Sequence, residues 1–158
     1  MRKIFLFFVF LPFISSAQSS MQKNEVLVQY STITSDWVEI YQQDGVIFFV
    51  KKIDCGLPSD VNSQELLLFK LENTSDNMFV IDWDIQRWLS NPGSNEQKTI
   101  ESSINVFLSA GETIEGVCDV ESDYFALLTI LSKFINQANG FELTQFTLSN
   151  IKFSVHEK

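Results

Sequence analysis

The sequence predicts a mostly β fold, an immunoglobulin-like antiparallel β-sandwich with one helical candidate at 123–136. Short apolar runs recur along the 158 residues, and turn residues separate them. Asp44-Gly45 lies between two runs that are rich in β-branched and aromatic residues. Short strands that are spaced by turns in this way are typical of a two-layered sandwich.

The N-terminus has the form of a cleavable secretory signal. Arg2 and Lys3 give it a positive start, an apolar run follows over 4–14, and Ser15-Ser16-Ala17 supplies the small residues that a signal peptidase recognises. The apolar run is too short to span a membrane. We therefore expect a signal peptide at 1–17 and a single β-sandwich domain at 18–158, exported to the periplasm or the extracellular space.

The strand candidates follow one another with turns between them. They are 25–30, 37–43, 46–53, 65–72, 78–85, 99–102, 104–108, 113–118 and 141–155. The run 65–72 is so rich in Leu and Phe that it predicts a central strand of the sheet. Ala110-Gly111 predicts the turn of a hairpin between 104–108 and 113–118.

Asp44-Gly45 is the strongest local hairpin signal in the chain, because both residues tolerate the positive φ of a type I′ turn. A two-residue turn places Tyr41 opposite Phe48 and Glu39 opposite Val50. The predicted core face of this hairpin is then the one that carries Val38, Ile40, Ile47 and Phe49.

Residues 123–136 fit a helix and also fit a strand. Tyr124, Leu127, Leu128 and Leu131 recur at helical spacing, and Ser122 stands where an N-cap would be. An alternating pattern also survives along this stretch, which is the competing interpretation as a strand.

The two cysteines predict a structural disulfide between Cys55 and Cys118. In an oxidising compartment a single pair within one domain usually forms a bridge, and the spacing excludes a Cys-x-x-Cys redox motif. The alternative is two free thiols, one of them functional.

The charge of the chain limits its partners. The sequence has 11 Lys and Arg against 20 Asp and Glu, a net charge of −9. Loss of Arg2 and Lys3 with the signal leaves 11 − 2 = 9 basic residues and a net charge of −11. So acidic a surface repels phosphate groups, which argues against nucleic acid and anionic lipid as partners. No second apolar run is long enough to span a membrane, and the oligomeric state stays open.

The residues predict a protein that is not an enzyme and needs no cofactor or metal. His156 is the only His, and it is the third residue from the C-terminal end, where a general base has no fixed geometry. With no other His in the sequence, this position argues against a Ser-His or Cys-His nucleophile pair and against a His-based metal site. Glycine-rich phosphate loops and zinc-protease motifs are also missing from the sequence.

The candidate ligand-binding residues are Asp82, Asp84, Trp83 and Trp88. Asp82 and Asp84 are two apart on a predicted strand, so both point from one face and Trp83 points from the other. A carboxylate pair can bind Ca²⁺ or act in glycoside hydrolysis. Trp83 and Trp88, with Trp37 and Tyr41, would form an aromatic platform for a sugar ring. The alternative is a half-buried strand whose aromatic residues pack in the core.

Asn73-Thr74-Ser75 matches an N-glycosylation acceptor in a predicted turn. This motif has a meaning only if the producing cell is eukaryotic, whereas the end of the signal is more typical of bacteria.

Several runs carry a resemblance to a group of known proteins. They are 37–41 with Asp44-Gly45-Val46, Lys52 to Cys55, 68–73, Ala110-Gly111-Glu112 leading to Gly116-Val117-Cys118, and Phe141-Glu142-Leu143. In these runs the chain resembles small exported β-rich proteins of unassigned function from flavobacteria and their relatives. The resemblance implies a secreted or periplasmic β-rich domain, and it implies no catalytic residue for this chain.

Three functional hypotheses follow from these observations. The first is an exported, non-catalytic β-sandwich that binds a protein or a cell-envelope component such as a polysaccharide. The second is a carbohydrate-binding module or a carboxylate-based glycosidase. The third is a secreted inhibitor or immunity-type partner, in which the acidic surface covers the active site of a basic enzyme.

Overall fold

A computed structural model describes residues 25–56, 63–90, 97–100, 103–137 and 140–156, so the predicted signal at 1–17 lies outside the described residues. A short 3-10 helix at Tyr30–Thr32 follows the first strand. The strands are β1 Val26–Gln29, β2 Val38–Gln43, β3 Val46–Cys55, β4 Gln64–Asn73, β5 Phe79–Ser90, β6 Gln97–Ile100, β7 Ile104–Leu108, β8 Thr113–Glu115, β9 Thr129–Phe134 and β10 Glu142–Val155, and helix α1 is Asp123–Leu128.

The described strands form one antiparallel sheet in the order β2-β3-β4-β9-β10-β5-β6. Three short strands extend it, with β1 beside β10, β7 beside β5 and β8 beside β4. Strand β9 pairs with β4 over several positions but meets β10 only where Glu142 faces Lys133. The sheet therefore turns a corner at β9, which separates a first layer (β2, β3, β4, β8) from a second layer (β1, β5, β6, β7, β10).

The two layers pack face to face through aromatic side chains. Phe48 of β3 meets Trp83 of β5 with ring centroids 5.4 Å apart, and Phe69 of β4 meets Phe146 of β10 at 5.5 Å. Neither pair belongs to hydrogen-bonded neighbours in the sheet, so both contacts cross between the layers. The prediction of a mostly β, antiparallel sandwich is confirmed.

The hairpin of β2 and β3 has the predicted turn. Asp44 and Gly45 have φ values of 52° and 81°, as a type I′ turn requires, and Tyr41 lies opposite Phe48. Glu39, however, lies opposite Phe49 and not Val50, because a bulge interrupts the register between Glu39 and Tyr41.

The predicted core face of this hairpin is wrong for β3, although Ile40 of β2 packs against the core as predicted. The buried residues of β3 are Val46, Phe48 and Val50, while Phe49 faces outward. Phe49 is covered by Lys70, whose ammonium lies 4.3 Å from the ring centroid. Both faces of β3 are apolar, so alternation alone did not distinguish them, and the contact between Phe48 and Trp83 decides which face is inside.

Strand β4 is central, as its composition predicts. It pairs with β3 along ten positions on one edge, and with β8 and β9 on the other edge. Leu66, Leu67, Leu68, Phe69 and Leu71 are all buried, which accounts for the continuous apolar run.

Residues 123–136 divide into a helix and a strand. Helix α1 ends at Leu128, and the Ser122 hydroxyl accepts a hydrogen bond from the Tyr124 N–H at 3.3 Å, as predicted for the cap. From Thr129 the chain is strand β9, so the helix prediction is wrong beyond Leu128. The edge of β4 explains the change, because β9 pairs with it and the Ser132 hydroxyl donates to the Glu65 carbonyl at 2.8 Å.

Cys55 and Cys118 lie at disulfide-bonding distance, with Cα atoms 5.6 Å apart, and they are 63 positions apart in sequence. The bridge joins the end of β3 to the segment that follows β8. In the chain-entropy model, closing a loop of this length stabilises the fold by about 4 kcal/mol.

Asn73 is buried, with 2% of its surface exposed, and its side chain holds two turns together. Its Nδ2 donates to the carbonyl oxygens of Asn77 at 2.7 Å and Ser109 at 2.8 Å, and its Oδ1 accepts from the Ser75 N–H at 3.0 Å. The amide nitrogen has no space for a glycan, so the interpretation of Asn73-Thr74-Ser75 as a glycosylation acceptor is wrong for this fold.

No helix among the described residues is long and apolar enough to cross a membrane.

We predict that Asn73→Ala lowers the free energy of unfolding by about 2–3 kcal/mol, because the carbonyl groups of two turns lose their donor inside the protein. Asn77→Ala is the matched control, since Asn77 is exposed and takes part through its backbone carbonyl. Urea unfolding of both variants measures the difference. Equal stability of the two variants would contradict the role given to Asn73.

Candidate binding surface

The four predicted ligand residues lie in three different environments. Asp82 and Asp84 are on the outer face of β5, as the strand pattern requires. Trp83 is 1% exposed, and its ring packs edge-on against Phe48. Trp88 is part-buried further along β5, where it pairs with Gln145 of β10. The structure therefore keeps the carboxylates together and places the Trp83 ring in the core.

The predicted aromatic platform is also dispersed. Tyr41 packs against Phe48 at 5.7 Å between ring centroids, on the inner side of the first layer. Trp37 lies before β2, and the ammonium groups of Lys51 and Lys70 lie 4.2 Å and 5.1 Å from its ring centroid. Stacked lysines cover the Trp37 ring, so it does not offer a free platform to a sugar.

Strands β7, β5 and β10 lie side by side and place several polar side chains next to Asp82 and Asp84. Asp82 pairs with Asn105 of β7 on one side and with Lys152 of β10 on the other. A cleft of about 500 Å³ opens here. We call it the polar cleft, and its lining residues are Asp82, Trp83, Asp84, Ser103, Asn150 and Lys152.

Hydrogen bonds fix both carboxylates of the polar cleft. The Asn105 Nδ2 donates to Asp82 Oδ1 at 2.6 Å, and the Asn150 Nδ2 donates to Asp84 Oδ2 at 2.6 Å. The Ser103 hydroxyl donates to Asp84 Oδ1. Asn150 has a φ of 54°, a left-handed conformation that Asn tolerates, and it lies where the register of β10 with β5 shifts. This irregularity turns the Asn150 amide towards Asp84.

These contacts determine the protonation of Asp84. The hydrogen bonds from Ser103 and Asn150 lower the pKa of the Asp84 carboxyl below its usual range, a small burial effect opposes them, and the charge of Lys152 adds to the lowering. A glycosidase needs one carboxyl group whose pKa is raised so that it can protonate the leaving oxygen. Asp84 has the opposite bias, so it suits a fixed acceptor in binding and not a general acid.

An apolar surface lies at the end of the same layer. Phe107 of β7 is 61% exposed and Val155 of β10 is 56% exposed. The Phe107 ring meets the His156 ring edge-on at 6.1 Å. Beside them is an open groove of about 720 Å³, which we call the end groove, lined by residues that include Met78, Ala110, Val155, His156 and Asp76.

The sequence of β7 contains a signal for the outward position of Phe107. Val106 and Leu108 are buried, so alternation along β7 turns Phe107 outward. A large aromatic residue on the outer side of an alternating strand is the pattern that marks a candidate contact. Asn105, Ser103 and Asn150 gave no such signal, because their role depends on long-range pairing with β5.

A second polar cluster surrounds Glu65 near the corner of the sheet. Glu65 accepts hydrogen bonds from the Tyr30 hydroxyl and from the Ser132 hydroxyl at 2.6 Å, and Lys133 Nζ lies 3.6 Å from it. The Lys52 ammonium lies 3.8 Å from the Tyr30 ring centroid. The cluster joins residues of the 3-10 helix, β3, β4 and β9.

The ionisation of this cluster follows from its contacts. Burial raises the pKa of Glu65, but the hydrogen bonds from Ser132 and Tyr30 and the charges of Lys133 and Lys52 bring it below the usual range. Burial and the bond to Glu65 raise the pKa of Tyr30. The donors and charges of the cluster thus satisfy one another, which indicates that it holds the corner of the sheet together.

Among the described residues, no group of three or more His, Cys, Asp or Glu side chains is arranged to hold a metal ion.

Comparisons with known proteins give one structural similarity. No family model and no curated protein matches the chain. Among solved structures, the chain is similar to the Salmonella enterica trimeric lipoprotein SadB, with 11% sequence identity and a TM-score of 0.37 over 84% of this chain and 64% of SadB. The chain thus spans less than two thirds of SadB, and this likeness is too low to transfer a function or an assembly state.

We predict that Asp84 titrates below the usual Asp value of about 3.9 in an NMR pH titration of its carboxyl carbon. Asn150→Ala should raise that midpoint, because it removes a donor to the ionised form. Asn105→Ala is the matched control, since its amide bonds Asp82. A midpoint for Asp84 above the usual value would contradict this account and restore it as a candidate acid.

Proposed function

We propose that the chain is an exported, non-catalytic binding module that contacts another protein through the outer and end surfaces of its second layer. The exposed apolar surface around Phe107 and Val155 carries this proposal. Clustered apolar side chains beside an open groove mark sites of protein contact, whereas single exposed apolar residues are ordinary. The first layer, by contrast, covers its outward aromatic residues Trp37 and Phe49 with lysines.

The ionisation of two carboxyl groups suits the recognition of hydrogen-bond donors. The pKa values of Asp84 and Glu65 both lie below the usual range, so these groups remain acceptors at neutral pH. His156 packs edge-on against Phe107 at the end of the sandwich. A fixed array of acceptors recognises donors without moving a proton.

The proposed location rests on the N-terminal sequence and on the cysteines. Arg2 and Lys3, the apolar run and the small residues before Gln18 have the form of a secretory signal. A disulfide between Cys55 and Cys118 suits the oxidising conditions of the periplasm or the extracellular space. Both features support a role in the cell envelope or beyond it.

A glycan is the second candidate ligand, and the polar cleft favours it. Asn105 and Phe107 are two residues apart on β7, so their side chains point from the same face. The exposed Phe107 ring therefore lies two register positions from Asp82, whose carboxylate Asn105 holds. Sugar hydroxyls would donate to the carboxylates while an apolar sugar face covers the ring. If the ligand is a glycan, Phe107 is the aromatic contact for the sugar, a role that the sequence predicted for Trp83 and Trp88.

The third hypothesis, an inhibitor or immunity-type partner of a basic enzyme, is one form of protein binding. The net charge of −9 supports it. Such a partner should bind more weakly as the salt concentration rises, because ions screen the attraction between an acidic and a basic surface.

The choice between protein and glycan can be measured with the mature chain from Gln18 immobilised and exposed to envelope and secreted fractions of the producing cell. We expect the immobilised chain to retain a component of these fractions. This retention should be lost when the fractions are digested with proteinase K, and it should persist after periodate oxidation of sugars. Loss with periodate alone would move the function to glycan binding.

The same chain, reduced and heat-denatured, is the control for non-specific adsorption. Retention no greater than this control from every fraction would contradict both binding functions.

A further inference from the structure

The edge of β7 is open among the described residues. β7 pairs with β5 from Phe79 to Trp83, and no described strand lies on its other side. An antiparallel strand with one neighbour directs about half of its backbone N–H and C=O groups outward, where another chain can bond them.

Most other edges of the sheet carry features that discourage pairing. The edge strand β2 contains a bulge and the charged Glu39, and β8 has three residues with Glu115 at its end. A charge, a Pro or a bulge is the usual protection of an edge. β7 has none of these, because its residues are Ile104, Asn105, Val106, Phe107 and Leu108, and its register with β5 is uninterrupted. Among the strands that the structure describes, β1 is another uncharged edge, but it has only four residues.

The two faces of β7 lead to different surfaces. Phe107 points outward, where it lies opposite Val80 and meets the His156 ring. The end groove begins directly after β7, with Ser109 and Ala110 in its wall. A strand that paired with β7 would therefore direct alternate side chains towards Phe107 and could continue into the end groove.

The charge of the end groove specifies the partner. Asp76 lines the groove, is exposed, and makes no hydrogen bond or ion pair with any described residue. By contrast, Asp82, Asp84 and Glu112 accept hydrogen bonds within the chain. An unpaired carboxylate in a groove that also contains Met78, Ala110 and Val155, on a chain of net charge −9, favours a cation that is flanked by apolar side chains.

We propose that the edge of β7 and the end groove form a docking site for an extended segment of a partner protein in which apolar and basic residues alternate. The segment adds a strand to β7, packs apolar side chains on Phe107 and Val155, and places a Lys or Arg at Asp76. This inference rests on the proposed function, because it assigns a partner chemistry and a site to the same binding activity.

The direct probe is a synthetic ten-residue peptide of alternating Lys and Val, acetylated and amidated at its ends. Titrated into the ¹⁵N-labelled mature chain, it should shift the amide signals of β7 and of 76–78. A peptide of alternating Glu and Val should bind at least about tenfold more weakly, since its charge opposes Asp76. A Lys-Val peptide that is N-methylated at every residue should also lose binding, because it cannot donate along the edge.

Variants of the chain locate the site. Phe107→Ser and Asp76→Asn should each lower the affinity for the Lys-Val peptide by about fivefold or more, because each removes one apolar contact or one charge contact. Leu27→Ser is the matched control, because Leu27 is 57% exposed on the other uncharged edge. It should change the affinity by less than about twofold. All three positions are exposed, and an unchanged urea midpoint shows that each variant is folded.

Several results would overturn the docking site. The first is that the Lys-Val peptide does not bind at millimolar concentration. The second is that the Glu-Val peptide or the N-methylated peptide binds as tightly as the Lys-Val peptide. The third is that the changes in amide chemical shift occur in β1 and are altered by Leu27→Ser.

Retention of envelope proteins by the Phe107→Ser chain separates this inference from the proposed function. Wild-type retention that Phe107→Ser leaves unchanged would refute the docking site and leave protein binding standing. A wild-type chain that retains no protein would refute both.

Discussion

The rest of the structure depends on the aromatic contacts between the two layers. Phe48 against Trp83 and Phe69 against Phe146 join strands that share no hydrogen bonds with each other, so side-chain packing holds the inner faces of the doubled sheet together. Each pair buries large apolar surfaces and adds the preference of aromatic rings for edge-on contact. Once Trp83 is inside, the pleat of β5 requires Asp82 and Asp84 to be outside.

The candidate surface is thus a consequence of the core. Asp82 and Asp84 stand on a strand that is paired on both sides, and neighbouring amides and a hydroxyl hold their carboxylates in place. Phe107 reaches the same surface because Val106 and Leu108 on either side of it are buried. A rigid layer with an open edge suits binding, since little conformational entropy is lost when a partner adds to it.

Local sequence features predicted the parts of the fold that local interactions determine. The Asp44-Gly45 turn, the central strand β4 and the Ser122 cap all follow from backbone preference or from composition, and the structure contains each of them. The strand at Thr129–Phe134 was not recognised, because its sequence also fits a helix and only the edge of β4 favours the strand.

The candidate site was predictable in part for the same reason. The spacing of Asp82 and Asp84 was enough to place them on one face. Alternation along β5 was also enough to turn Trp83 inward, whereas the bulge near Ile40 and the partners Asn105 and Asn150 depend on contacts between residues far apart in sequence. Pairing of that kind leaves no periodic pattern in a single sequence.

Native-state amide hydrogen exchange tests most directly whether the two layers form one cooperative core. We predict that the slowest-exchanging amides of β4 in the first layer have the same free energy of opening as those of β5 and β10 in the second layer. The reason is that neither layer keeps its inner face covered without the other. Amides on the edge of β7 should exchange much faster. Two distinct free energies, with one layer opening while the other stays protected, would contradict the account.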